Sequence, residues 1–235
     1  MEARMTVVPI VALDVADQDA ALAIVDQLRE SCRFYKVGSE LFTASGPSVV
    51  REVQARGAQI FLDLKYHDIP NTVAGAVRRA AALGVRLLTA HASGGHEMLR
   101  AAVEAAGDPR RCGVLAVTVL TSLDGATVGA LWGRGGPVRI ADEVLRLAEV
   151  ALDAGATGVV CSGREAAAVK TRFGSALSVL IPGIRMPGGE SHDQARVSTP
   201  ADAVAAGADY VVVGRAITAA PDRRAALGEM LALLA

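Results

Sequence analysis

Neither sign of charge is in surplus along these 235 residues: 24 Lys and Arg stand against 25 Asp and Glu, a formal net charge of −1. No basic field is therefore available for nucleic acid or anionic lipid, and any bound anion must be held by local groups. Cysteine is sparse. Cys32, Cys112 and Cys161 lie far apart, with no pair at redox or zinc spacing, which fits reduced thiols in a cytoplasmic protein. No stretch approaches the ~18 consecutive apolar residues of a membrane span. The opening MEARMTVVPIVALDV is apolar only as far as Asp14 and reads as a strand, not a signal peptide. Linkers and low-complexity tracts are also missing, so one domain over residues 1–235 is expected. Aromatic residues make up only 3%, yet hydrophobic residues reach 51%, enough to bury a large core and to exclude disorder.

What is present is an alternation. Short apolar runs occur at 7–15, 34–38, 59–65, 85–93, 113–121, 157–163, 177–184 and 210–216, continuous in Val, Ile, Leu and Ala as strands covered on both faces should be. Ala-rich amphipathic stretches separate them. Residues 17–30 place Ala21, Ile24, Val25 and Leu28 on one stripe, and 144–155 place Leu147, Ala148 and Ala151 on another before Gly155 ends the helix. A weak echo, GATGVV against GADYVV, is consistent with repeated βα units. The expected fold is α/β, a single (β/α)8 TIM barrel; a doubly wound open sheet would normally carry fewer strands.

In such a barrel, chemistry belongs at the C-terminal ends of the strands. Asp14, Lys36, Asp63, Lys65, His91, Ser93, Thr118, Thr121, Ser162, Arg185 and the Gly214–Arg215 pair all fall there. Asp63 and Lys65 are two apart and so share a face of their strand. A barrel's helix layer should be apolar, which points both charges into the interior mouth, as an ion pair or as part of a catalytic constellation. Asp68 follows just beyond the strand, and Pro70-Asn71-Thr72 reads as a turn into the third helix, where Thr72 could serve as a cap. IPGIRMPGGESHDQARV (181–197) is rich in Gly and Pro, either a surface loop or a lid that closes on ligand. Arg185 at its base and Arg215 after the eighth strand could converge on a phosphate, with Gly214 allowing close backbone approach. The four histidines are spaced too widely for a helical metal pair, and His91 reads as structural. Trp132 and the following GRGG read as loop packing and a flexible connection.

FLDLKYHDIPNTV (61–73) resembles the orotidine 5′-phosphate decarboxylase family, cofactor-free barrel enzymes of pyrimidine synthesis. ALDV (12–15), YKVG (35–38), HASGG (91–95), AVTVLTS (116–122), PGIR (182–185), Asp193-Gln194 with Arg196, and VVGR (212–215) follow in family order. The resemblance implies a charged array of Lys36, Asp63, Lys65 and Asp68, with Lys65 as the catalytic lysine. It further implies that Asp68, Ile69 and Thr72 reach into the other subunit's site in a homodimer. Asp14 and Lys36 would contact the ribose, Thr121 the pyrimidine, and Arg185, Gln194, Gly214 and Arg215 the phosphate, with Gln194 on the lid. The implied substrate is orotidine 5′-monophosphate, with neither metal nor cofactor. Tyr66 stands where Phe is common, and Met186 shifts the loop proline by one place. Two alternatives remain open at this level. Related Mg2+-dependent sugar-phosphate enzymes share the Asp-x-Lys-x-x-Asp pattern but carry an acid where Lys36 stands; a non-catalytic nucleotide-binding barrel would need no charged array.

Overall fold

The computed structural model describes residues 7–186 and 198–235. In chain order the elements are β1 (Val8–Ala12), α1 (Gln18–Leu28), β2 (Phe34–Gly38), α2 (Ser39–Ser45), α3 (Pro47–Ala55), β3 (Gln59–Tyr66), α4 (Pro70–Ala82), β4 (Leu87–His91), α5 (His96–Ala106), β5 (Gly113–Val117), α6 (Gly125–Leu131), α7 (Ile140–Asp153), β6 (Gly158–Val160), α8 (Gly163–Phe173), β7 (Ser178–Ile181), α9 (Pro200–Ala205), β8 (Tyr210–Val213), α10 (Arg215–Thr218) and α11 (Arg223–Leu234). The strands are parallel and pair in sequence order, and β8 closes on β1. Every apolar run of the sequence is one of these strands, and the closed (β/α)8 barrel is the fold.

The helices cover the barrel with the stripes their periodicity predicts. On α1 the buried residues are Ala21, Ile24, Val25 and Leu28, and Asp17 caps the helix by accepting the Ala20 N–H at 2.9 Å. On α7 the buried stripe includes Val144, Leu147, Ala148 and Ala151, and Gly155 follows the helix with φ +79°. The second connection departs from a simple alternation. Gly46, at φ +59°, and Pro47 at the next helix's first position divide it into α2 and α3. The helix that begins at Pro70 is therefore the fourth, not the third. Trp132 ends α6 and lies under the Arg146 guanidinium, 5.8 Å from the ring centroid, which fits the packing role expected for it.

Inside the barrel, β2, β3 and β4 change from apolar to polar as they rise. Ile10, Ala12, Phe34, Phe61, Leu87, Leu115, Val117, Val160, Leu180 and Val212 form the inner core. Period-two alternation carries Phe34 to Lys36 on β2, Phe61 to Asp63 and Lys65 on β3, and Leu87 to Thr89 and His91 on β4. Between them Leu62, Leu64 and Tyr66 face outward and pack in the helix layer. The β3–β4 ladder breaks at this transition: Leu62 pairs with Leu88, but the next pair is Tyr66 with Ala90, four residues of β3 against two of β4. Lys65 sits in this irregularity at φ +51° and is the only non-glycine residue at positive φ among the described residues.

Phe61 forms part of the floor beneath the polar layer and is 1% exposed. Phe61→Ala should lower unfolding free energy by about 3–5 kcal/mol, from lost burial and the cavity left behind. Phe61→Leu should cost less than about half of that. Denaturant midpoints at constant m-value check both.

Candidate active site

At the C-terminal mouth of the barrel lies a cavity of about 570 Å³, within the usual range for a small-molecule site. Ala12, Phe61, Val117, Val160, Leu180 and Val212 give it an apolar floor continuous with the inner core. Charge enters from two sides. Asp14, Lys36, Asp63 and Lys65 come from β1, β2 and β3, and Arg185 and Arg215 from the ends of β7 and β8, with Thr121 after β5 and Gly214 after β8 also on the wall.

The first group alternates in sign. Lys36 Nζ lies 2.6 Å from Asp14 Oδ1 and 3.9 Å from Asp63 Oδ2, and Lys65 Nζ lies 2.8 Å from the same Asp63 oxygen. The side chains of Lys36 and Asp63 are 10% and 12% exposed, that of Lys65 38%. Two largely buried charges cost several kcal/mol each to desolvate and are retained only when mutually paired and hydrogen-bonded. Asp63 meets that condition, since its other oxygen, Oδ1, accepts the Thr89 hydroxyl at 3.0 Å. The expectation that Asp63 and Lys65 share a face is met, although Lys65 does so from a left-handed backbone that costs about 1–3 kcal/mol in a non-glycine residue.

Gly38 has a geometric reason to lack a side chain. A Cβ there would come within 3.0 Å of Lys36 Nζ and 3.2 Å of Asp14 Oδ1, crowding the ion pair. Thr89 and Gly38 were not among the expected site residues; nor were Glu40, Pro182, Gly183 and Thr218, which line the cavity. Period-two reading back from His91 would have turned Thr89 inward, and YKVG contains Gly38, but neither pattern reveals a contact partner.

Asp68, Ile69 and Thr72 do not line this cavity. Asp68 and Thr72 are exposed, and Ile69 is 67% exposed. The Asp68 carboxylate accepts the Ile69 N–H at 2.6 Å, directly before Pro70 opens α4. Thr72 is not the cap, since Ile69 holds that position with no side-chain hydrogen bond. Gln194 and most of the 181–197 loop lie outside the described residues. At its base Arg185 is buried, its N–H bonded to the Ser198 carbonyl at 3.1 Å.

Other polar strand-end residues serve the fold. Thr118 donates its hydroxyl to the Val160 carbonyl at 2.8 Å, and Ser162 caps α8. His91 stacks on His67 with centroids 5.2 Å apart, which fits its structural role. Burial pushes the His91 pKa down, and His67 and Lys65 add to the shift. Among the described residues no three His, Cys, Asp or Glu side chains gather as a metal-binding group, and no helix is long and apolar enough to cross a membrane.

A family model described as "Orotidine 5′-phosphate decarboxylase / HUMPS family" matches residues 8–230. An orotidine 5′-phosphate decarboxylase of Halorhodospira halophila is 52% identical over 227 residues, 96% of this chain and 95% of that protein. One from Anaeromyxobacter sp. (strain K) is 52% identical and covers 92% of each chain. Among solved structures, orotidine 5′-phosphate decarboxylase from Lactobacillus acidophilus superposes with a TM-score of 0.82 at 35% identity, covering 97% of this chain and 99% of that one. The Pyrococcus horikoshii OT3 enzyme gives 0.75 at 27% identity, covering 96% and 98%. Matched along nearly its whole length in both sequence and barrel geometry, the chain belongs to the orotidine 5′-phosphate decarboxylase / HUMPS family.

Proposed function

We propose that this protein decarboxylates orotidine 5′-monophosphate to UMP and CO2, the last step of UMP synthesis, without a cofactor. The observation that carries the reading is the alternating Asp14–Lys36–Asp63–Lys65 array facing a cavity that also holds Arg185 and Arg215. The curated relatives at 52% identity support this substrate over the sugar phosphates of the Mg2+-dependent branch. So does Lys36, a cation where a divalent metal would need an acid.

The chemistry asks for what the array supplies. Breaking the bond between C6 and its carboxylate releases CO2 and leaves an electron pair on a ring carbon with no adjacent carbonyl to accept it. An ammonium held at C6 stabilises that pair electrostatically and then gives it a proton. Lys65 takes this role, becoming neutral on transfer and regaining its proton from solvent. Asp63 orients the ammonium and lies beside the departing carboxylate. Asp14 and Lys36 hold the ribose, and Thr121 meets the pyrimidine. Arg185, Gln194, Gly214 and Arg215 bind the phosphate, whose remote binding energy organises the array and draws the lid closed.

The working unit in this reading is a cytoplasmic homodimer with shared sites. An isoleucine as exposed as Ile69, next to the exposed Asp68 and outside its own chain's cavity, suits a segment that a partner subunit covers. Asp68 then completes the partner's array, with Ile69 and Thr72 beside it.

Lys65→Ala tests the reaction. It should lower kcat for CO2 release by more than about 10³-fold while UMP still binds, because the proton donor is lost and the phosphate site is not. Substantial remaining turnover would remove Lys65 from its role, and activity abolished by EDTA would favour the metal-dependent branch.

Arg215→Ala should reduce kcat/KM for the nucleotide on the order of a hundredfold or more and barely alter turnover of the phosphate-free nucleoside. Equal losses on both substrates would place Arg215 outside the phosphate site.

Subunit mixing tests the shared site. Lys65→Ala and Asp68→Ala dimers, each nearly inactive, are exchanged in equal amounts, with exchange verified by native mass spectrometry. One site of each mixed dimer then joins native Lys65 to native Asp68, so activity should recover to about a quarter of wild type. No recovery in exchanged dimers would assign both residues to one chain's site.

A further inference from the structure

Thr89 is fully buried at the centre of β4, and its hydroxyl is used twice. It accepts the backbone N–H of Lys65 at 2.9 Å and donates to Asp63 Oδ1 at 3.0 Å. The direction follows from the partners: an amide N–H can only donate and an ionised carboxylate can only accept, so the single hydroxyl proton points to Asp63. Packing alone does not ask for this residue. Valine has the same shape and suits a buried strand position equally well, whereas a buried hydroxyl is unfavourable unless its hydrogen-bonding capacity is used.

The placement coincides with two other irregularities. Between the Leu62–Leu88 and Tyr66–Ala90 pairs the β3–β4 ladder loses its register. Within that gap Lys65 adopts its left-handed backbone, a conformation that persists only where the surroundings over-determine it. The Lys65 N–H goes to the Thr89 hydroxyl where a regular ladder would provide a strand carbonyl. Beyond Lys65 the chain is held separately, by His67 stacked on His91.

We propose that Thr89 is a positioning residue for the decarboxylation: its hydroxyl holds the left-handed Lys65 backbone and the Asp63 carboxylate together, so that the Lys65 ammonium is aimed into the cavity. The inference rests on the functional reading above and deepens it. Thr89 touches neither substrate nor the transferred proton; it acts through Asp63 and Lys65. Misplacing a reacting group by about 1 Å is enough to cost on the order of a hundredfold in rate.

The test compares Thr89→Val, Thr89→Ala and Thr89→Ser with Lys65→Ala in the same assay. Thr89→Val and Thr89→Ala should each lower kcat on the order of a hundredfold, with KM and UMP affinity within about threefold of wild type. Amide hydrogen exchange at the C-terminal end of β3 should accelerate in both. Thr89→Ser keeps the hydroxyl and should restore kcat. Wild-type kcat in a folded Thr89→Val protein, with Lys65→Ala inactive, would overturn the positioning role and leave the functional reading intact. Parallel losses of kcat and UMP binding would reduce Thr89 to a structural residue and overturn the proposal. So would hydroxyl-less variants that do not fold while Thr89→Ser does. An active Lys65→Ala protein would instead remove the functional reading, and this inference with it.

Discussion

Asp63 holds a largely buried carboxylate directly above the hydrocarbon floor of the barrel, and the surrounding geometry answers the cost of keeping it there. One oxygen faces the Lys36 and Lys65 ammonium groups and the other accepts the Thr89 hydroxyl. Remove any partner and a largely buried charge loses compensation that the low-dielectric interior cannot replace. The same contacts fix where Lys65 can be. Its ammonium is tethered to Asp63 from the side chain and its amide to Thr89 from the backbone, so two anchors determine one position. In the proposed reaction this supplies preorganisation, because charges already oriented need little reorganisation as the reaction proceeds.

The barrel makes such an arrangement affordable by separating its functions along the strand axis. Lower in the barrel, the inward positions of β2, β3 and β4 are Phe34, Phe61 and Leu87, which are buried and packed in one cluster. One period higher the same strands present Lys36, Asp63 and Thr89. Because the β2–β3 ladder stays in register through the Gly38–Asp63 pair, Lys36 and Asp63 inherit the positional precision of the core beneath them. The arginines arrive differently, from beyond the ends of β7 and β8, where loops set their reach to the proposed phosphate. Regular strands thus hold Lys36 and Asp63, Lys65 is fixed through its contacts with Asp63 and Thr89, and the loops carry the proposed binding energy.

The outward segment after β3 follows another logic. Asp68 and Ile69 come within a few residues of Lys65, yet the turn into α4 directs them away from the cavity that Lys65 lines. Proximity in sequence does not make residues neighbours in a site when the chain reverses between them. In the proposed homodimer this exposed segment, with Ile69 at its centre, is the part that the second subunit covers.

Much of this was determined by the sequence alone. Strand and helix periodicities are local properties, and they marked the eight strands, the buried stripes of α1 and α7, and the shared face of Asp63 and Lys65. The family resemblance added the assignment of roles, which no spacing could supply. Tertiary structure decided the rest. The loss of register between β3 and β4 depends on the pairing of two strands, and neither strand's residues announce it. Thr89 became part of the array only when that pairing set its hydroxyl between Lys65 and Asp63, and Gly38 mattered only once Lys36 and Asp14 met above it. The physical reason is common to all three. Periodicity fixes which way a side chain points, whereas the identity of what it meets there is a property of strands distant in the chain and is settled by the closing of the barrel.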